Sequence, residues 1–242
     1  MAHDRCVDAL ATADDARSAL AELANPANAV DLHQYFKAYA GGYGEGDVFL
    51  GLRVPVTRSV AKRFRRMPFD EIDKLLDDAP HEHRFAGVLL LNEASRRDPS
   101  GAAERYLAAV RRGRVNNWDL VDASAEYALG GWLYDRDRSV LFELAASESL
   151  WERRVAVLAT FAFLKRGDPT TTLALAERLL GDREDLMHKA VGWMLRELGW
   201  RVSGEELRRF LDSHAARMPR TMLSYATEHF TPEERSRYRA LR

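Results

Sequence analysis

Two groups of side chains in this chain have the types and spacing to do chemistry. The first lies in Arg-Val-Asn-Asn-Trp-Asp-Leu-Val-Asp at 114–122, where Trp118 and Asp122 stand four residues apart. On a helix that spacing puts them on one edge. Asn117 is placed as the N-cap and Asp119 is explained by the helix dipole in the first turn, whereas Asp122 sits too far in for either role. The second group is Lys189, Trp193 and Arg196, which share one face of a helix over 184–200 while Val191, Met194, Leu195 and Leu198 form its buried stripe. Cations with an aromatic between them suit a nucleic-acid backbone and its sugars or bases. The same three residues also fit a plainer reading, in which Trp193 packs between helices and the cations extend past it.

Other candidate motifs are poorer. The Gly-rich stretch at 41–47 lacks the Lys-Ser/Thr ending of a phosphate loop, follows no strand and carries Glu45 and Asp47, so a flexible loop is expected. His81 and His83 are two apart, which does not aim them one way on a helix, and no third ligand is evident, so no metal site is expected. Cys6 has no partner for an internal disulfide. No Ser-centred elbow, Cys–His pair or nucleotide fingerprint occurs.

These residues must be positioned by helices. Apolar residues recur at 3 and 4 spacing, strict alternation is absent, and breaks fall at Pro, Gly or Asp-rich joints, so the fold class is all-α. Helices are expected near 4–24, 29–39, 56–66, 69–79, 82–97, 100–112, 118–134, 138–147, 150–165, 170–180, 184–200, 204–217, 220–230 and 233–241. Pro55, Pro68, Pro99, Pro169, Pro219 and Pro232 stand at or just before helix starts. On the helix from 118, Val121, Ala125, Ala128 and Trp132 make the buried stripe. No apolar run approaches membrane-spanning length, and the N-terminus shows no basic region followed by an apolar core, so a cytoplasmic protein is expected.

The segments "HRFAGVLLLNEASRR", "RRVAVLATFAFLKRG" and "HKAVGWMLRELGWR" share a basic residue before a small and apolar run. Their basic positions, Arg84, Arg154 and Lys189, imply a period of about 35 residues, within the range of two-helix solenoid repeats, with Asp119 at the missing place and Arg220 opening a last repeat. Cations in the first turns of aligned helices would make a track for phosphates; alternatively, they pair with acids on neighbouring helices. The net charge of −1 hides local imbalance. Residues 1–31 hold six acids against two basic side chains, whereas 53–66 hold six basic residues and no acid.

Five blocks, "FLGLRVPVTRSVAK" at 49–62, "NNWDLVD" at 116–122, "LWERRVAVLAT" at 150–160, "HKAVGWMLRELG" at 188–199 and "MPRTMLSYATEHF" at 218–230, resemble the DNA alkylation repair family, the AlkD-like glycosylases. The resemblance runs from about residue 33 to 238. It leaves residues 1–27 as an extra acidic helix and 28–242 as a single repeat domain. It implies a HEAT-like helical-repeat solenoid with a concave basic cleft, and hydrolysis of N3- and N7-alkylated purines from duplex DNA to leave an abasic site. No metal, organic or nucleotide cofactor and no membrane is implied, and a monomer is expected. By motif, the catalytic aspartate corresponds to Asp122, and the lesion and sugar contacts to Trp118, Trp193 and Arg154. The cations expected at the DNA backbone are Arg84, Arg153, Lys189, Arg196 and Arg220. Ser224-Tyr225 stands where the family has Arg-Tyr, which puts one backbone contact in doubt. No lysine lies beside Asp122 to form a Schiff base, so a monofunctional hydrolase is expected. Against it stand a DNA-binding solenoid without catalysis and a protein-interaction scaffold.

Overall fold

The computed structural model describes residues 11–241 and, among them, is all-α, of the helical-repeat solenoid class. The start of the helix expected over 4–24, and Cys6, lie outside the described residues. The chain divides into two compact units, 1–117 and 118–242.

The first unit holds α1 (Ala13–Ala21), α2 (Pro26–Tyr35), α3 (Val54–Arg63), α4 (Phe69–Leu76), α5 (His81–Ala94) and α6 (Pro99–Arg111). Helix α1 buries Ala13, Ala16, Ala19 and Leu20 and packs on α3, α4 and α5. Its entry is fixed by a capping box between Thr12 and Asp15, and the Ala13 N–H donates to Glu71 at 2.8 Å. Between α2 and α3 the chain makes one isolated parallel bridge, Val48 with Pro80, instead of a strand.

The second unit holds α7 (Trp118–Ser124), a π-helical segment (Ala125–Gly130), α8 (Gly131–Leu133), α9 (Ser139–Ala145), α10 (Leu150–Ala159), α11 (Phe161–Leu164), α12 (Thr170–Arg178), α13 (Asp185–Arg201), α14 (Gly204–His214), a 3₁₀ turn (Ala215–Arg217), α15 (Arg220–Ala226) and α16 (Pro232–Arg239). Here α7, α10, α13 and α15 are successive neighbours. Gly192 permits the last of these contacts, because a Cβ there would lie 2.5 Å from the Met222 carbonyl oxygen.

Every helix expected from periodicity has a counterpart, and all six prolines stand at helix starts, as N1 or N2 in α3, α6 and α16 and just before α4, α12 and α15. Two single helices prove to be interrupted. That over 118–134 widens into a π turn after Ser124, whose hydroxyl donates to the Leu120 carbonyl at 2.6 Å and competes with the helix ladder. The extra residue per turn rotates the rest of the helix, so Leu129 and Leu133 join Val121, Ala125 and Ala128 in the core. Trp132 is half-buried under Arg136 instead of completing the stripe. The helix over 150–165 breaks at Thr160, whose hydroxyl donates to Val157 at 2.7 Å. The Ala159 carbonyl closes against Gly130 of the π segment so tightly that any Cβ there would collide with it.

Candidate active site

The repeat register becomes legible when positions are counted from each helix start. Arg84, Arg153 and His188 are the fourth residues of α5, α10 and α13, and all three bond carbonyls of the preceding loop. Arg84 donates to Ala79 at 2.5 Å and Asp78 at 3.1 Å; Arg153 donates to Ser147 at 3.0 Å and Glu148 at 2.8 Å; His188 Nε2 meets Asp182 at 2.6 Å. The recurring basic residue is thus a latch on the interhelix loop. Arg84 and Arg153, both expected as phosphate contacts, are engaged by acids within the fold. Arg84 is 3% exposed and paired with Asp47, and Arg153 is largely buried and paired with Asp182 at 2.7 Å.

The fifth positions are different. They are Asp122 on α7, Arg154 on α10, Lys189 on α13 and Ser224 on α15, so the row of cations expected from the repeat spacing is out of register by one residue at Arg84. On the neighbouring helices α7 and α10 the fifth-position side chains meet laterally. Arg154 Nε donates to Asp122 Oδ1 at 2.9 Å and its Nη2 to Oδ2 at 2.8 Å, a two-bond fork that fixes the carboxylate plane. The third arm, Nη1, donates to the Leu186 carbonyl at 2.5 Å and ties the pair to α13.

Asp122 keeps 22% of its side chain exposed while Arg154 keeps 6%. Burial pushes the Asp122 carboxyl above the ordinary carboxylate range. The Arg154 charge and hydrogen bonds oppose that shift, and Asp119 adds a smaller push upward. Asp119 itself is buried and accepts from the Leu120 N–H at 2.8 Å, a local role near the first turn. An ionised carboxylate has about four acceptor directions. Arg154 takes two and leaves the others for a water or a developing cation.

Trp118, at the start of α7, is half-buried on the same edge as Asp122. Trp193 is half-buried on α13 and is held from two sides. Its indole N–H donates to Glu197 Oε1 at 3.2 Å, and Phe161 lies 6.0 Å away at 55°. Glu197 also accepts from Arg201 Nε at 2.6 Å and lies 3.4 Å from Arg196 Nη2. Burial would raise its carboxyl, but Arg201, Trp193 and Arg196 together hold it below the ordinary value. Sequence periodicity does not reveal this clamp, although Glu197 one turn after Trp193 is a signal for it.

The remaining expected cations divide. Lys189 pairs with Asp185 at 2.8 Å and Arg196 with Glu228, whereas Arg220 is exposed and has no ion pair among the described residues. Arg220, Ser224, Tyr225 and Arg239 line a cavity of about 370 Å³.

One residue of the first unit is undervalued by sequence reasoning. Asp47, in the Gly-rich stretch expected to be a flexible loop, is 6% exposed and accepts from Arg84 Nη2 at 2.5 Å, His81 Nδ1 at 3.0 Å, Asn116 Nδ2 at 3.0 Å and Asn117 Nδ2 at 3.3 Å. Burial alone would raise its carboxyl; His81, Arg84 and Asn116 outweigh that and hold it below the ordinary range. His83 pairs with Asp78 at 2.8 Å, so both histidines of the 81–83 stretch are engaged by aspartates. No group of three His, Cys, Asp or Glu among the described residues is arranged to hold a metal ion, and none of their helices is long and apolar enough to cross a membrane.

The model of the family described as "DNA alkylation repair enzyme" matches residues 16–230, including α1 from Ala16 onward. Among solved structures, the chain is similar to one described as "Predicted DNA alkylation repair enzyme from Enterococcus faecalis". The two are 17% identical with a TM-score of 0.68, over 86% of this chain and 97% of that one. At such identity the likeness concerns the fold. No curated protein matches the chain.

Proposed function

Because the chain belongs to the DNA alkylation repair enzyme family and so has a role in DNA repair, we propose that it is a monofunctional glycosylase. In this reading it hydrolyses the N-glycosidic bond of cationic N3- and N7-alkylated purines in duplex DNA. The observation that carries the proposal is the forked Arg154–Asp122 pair, buried on one side and open on the other.

Alkylation at N3 or N7 makes the purine a cation, so cleavage releases a neutral base and leaves positive charge on the deoxyribose. A carboxylate held in place opposes that charge as it grows and costs no reorganisation at the moment of reaction. Asp122 supplies it. Its free acceptor directions orient the water that attacks C1′ and take the proton the water gives up. The products are free base and abasic DNA. Trp118 and Trp193 offer faces that favour a cation, worth about 0.5–2 kcal/mol per contact. Arg220 holds a phosphate directly, while Lys189 and Arg196 do so by exchanging Asp185 and Glu228 for it. Selectivity then tracks the charge and lability of the lesion, and neutral damaged bases are poor substrates.

The test is base release from methylated duplex DNA by the wild type and by Asp122→Asn. Release by the wild type and a loss of at least about 100-fold in the variant, the scale of one preorganised electrostatic group, are expected. No release by the wild type removes the enzyme reading. Equal release removes the assignment of Asp122 alone.

A further inference from the structure

The fork between Arg154 and Asp122 requires α7 and α10 to lie level, and a second contact further along the same helices holds them so. Gly130, eight residues after Asp122, closes against the Ala159 backbone and against Ala162, which stands eight residues after Arg154. The partners of the fork are 32 residues apart, and Gly130 and Ala162 are 32 apart as well. Fork and glycine contact are therefore two rungs of one register, in which α7 and its π continuation pack along α10 and α11.

An uninterrupted α-helix would not make the second rung. Eight residues at 3.6 per turn overshoot two full turns by about 80°, which would aim Gly130 well to one side of Asp122. The π turn after Ser124 takes up one residue. Gly130 then stands where the seventh residue of a plain helix would, within about 20° of Asp122. Ser124 supports the widening through its hydroxyl, which donates to the Leu120 carbonyl at 2.6 Å. Glu126, in the same segment, accepts from Lys165 Nζ at 2.6 Å and ties it to the end of α11. Only glycine fits the rung, because a Cβ there would collide with the Ala159 carbonyl oxygen, a backbone atom that cannot turn aside.

We propose that Ser124 and Gly130 are positioning residues for the reaction, setting the level of α7 against α10 so that Arg154 grips both oxygens of Asp122. The catalytic consequence rests on the hydrolysis proposed at Asp122; the geometric part stands on the fork alone. Both residues act through the pair and touch no substrate. The tolerance is small: the two fork bonds are 2.9 and 2.8 Å, and the third guanidinium arm is committed to the Leu186 carbonyl. A slide of about 1 Å between the helices takes such bonds out of range. π turns occur mostly at functional sites, and the displacement this one supplies falls on the carboxylate.

The experiment compares wild type, Gly130→Ala, Gly131→Ala and Ser124→Ala. In each it reads solvent exchange of the Arg154 Nε–H by NMR and single-turnover base release from methylated duplex DNA. In wild type the fork protects that proton. Gly130→Ala should lose the protection and cut release by about 100-fold, the cost of an ångström-scale misplacement. Gly131→Ala makes the same change one residue on, where a Cβ meets only the Glu126 carbonyl oxygen at 3.7 Å, and should match wild type in both readouts. Ser124→Ala adds no atom and carries the test if Gly130→Ala does not fold; it should weaken protection and release by about 2- to 10-fold, the scale of one hydrogen bond. A folded Gly130→Ala that keeps the protected proton overturns the proposal, whether or not release falls. So does an equal loss in Gly131→Ala, or wild-type protection and release in Ser124→Ala. If wild type releases no base, loss of protection in Gly130→Ala still supports the geometric role, and the glycosylase reading alone is removed.

Discussion

Asp47 and Asp122 are both aspartates paired with an arginine inside a helical unit, and they are used in opposite ways. Asp47 is saturated: Arg84, His81, Asn116 and Asn117 converge on its two oxygens, almost none of the side chain is exposed, and its carboxyl is held low. Asp122 has one partner for its two oxygens, an open side and a raised carboxyl. A carboxylate whose ionised form the fold favours is a structural tie. One whose ionised form costs the fold something, and whose side chain stays partly exposed, is on the proposed function placed to reclaim that cost from a cation that forms during a reaction.

The largest expected effect is on stability. Asp47→Ala leaves Arg84 buried without its counter-charge, and urea unfolding should show a loss of about 3–5 kcal/mol. A loss below about 1 kcal/mol, the scale of an exposed pair, would erase the contrast from the structural side.

The pH dependence of stability should have opposite sign at the two sites. Asp47 has a depressed carboxyl, so its contribution is present above the unfolded value of about 3.9 and fades as pH falls through the folded value. Asp122 has a raised carboxyl, so its contribution is full below the unfolded value and is lost as pH rises through the folded one. Unfolding of wild type, Asp47→Asn and Asp122→Asn across acid pH reads both. The wild-type advantage over Asp47→Asn should grow with pH, and that over Asp122→Asn should shrink.

Arg154 sharpens the comparison on the side of activity. It lowers the Asp122 carboxyl against burial, so Arg154→Ala should move the acid limb of base release to higher pH, and Arg154→Lys should move it less because the charge remains but the fork does not. A limb that stays where wild type has it would show that Asp122 is not the group titrating. The smallest effect is expected at the indole clamp. Trp193→Leu should cost roughly 2- to 30-fold in turnover of cationic lesions, the equivalent of one cation–π contact at about 0.5–2 kcal/mol. Glu197→Gln, which keeps an acceptor for the indole N–H, should cost less than Glu197→Ala.

Sequence periodicity carries the helices, the proline starts and the core stripe of α13, because each is a local pattern repeated over several turns. It does not carry the π turn, which depends on one hydroxyl, Ser124, diverting a single carbonyl and leaves apolar spacing almost untouched. The Asp47 cluster is hidden because its members lie in a Gly-rich loop, a helix start and the Asn-Asn pair, and no window contains them together. Two adjacent asparagines beside apolar residues are the available signal, since buried amides must find partners. The repeat spacing singles out Arg84, Arg154 and Lys189 as one row, but helix starts place Arg84 one position earlier than the others. One residue separates a loop latch from the arginine that forks Asp122, and residue type alone does not report it.

The most direct measurement takes Asp47→Asn and Asp122→Asn side by side, with urea unfolding and single-turnover base release from methylated duplex DNA on each. Asp47→Asn should lose the greater stability yet retain release per folded molecule, and Asp122→Asn should remain folded while release falls by at least about 100-fold. Wild-type release by Asp122→Asn, or a greater stability loss there than at Asp47→Asn, would contradict the assignment of Asp122 to chemistry and Asp47 to structure.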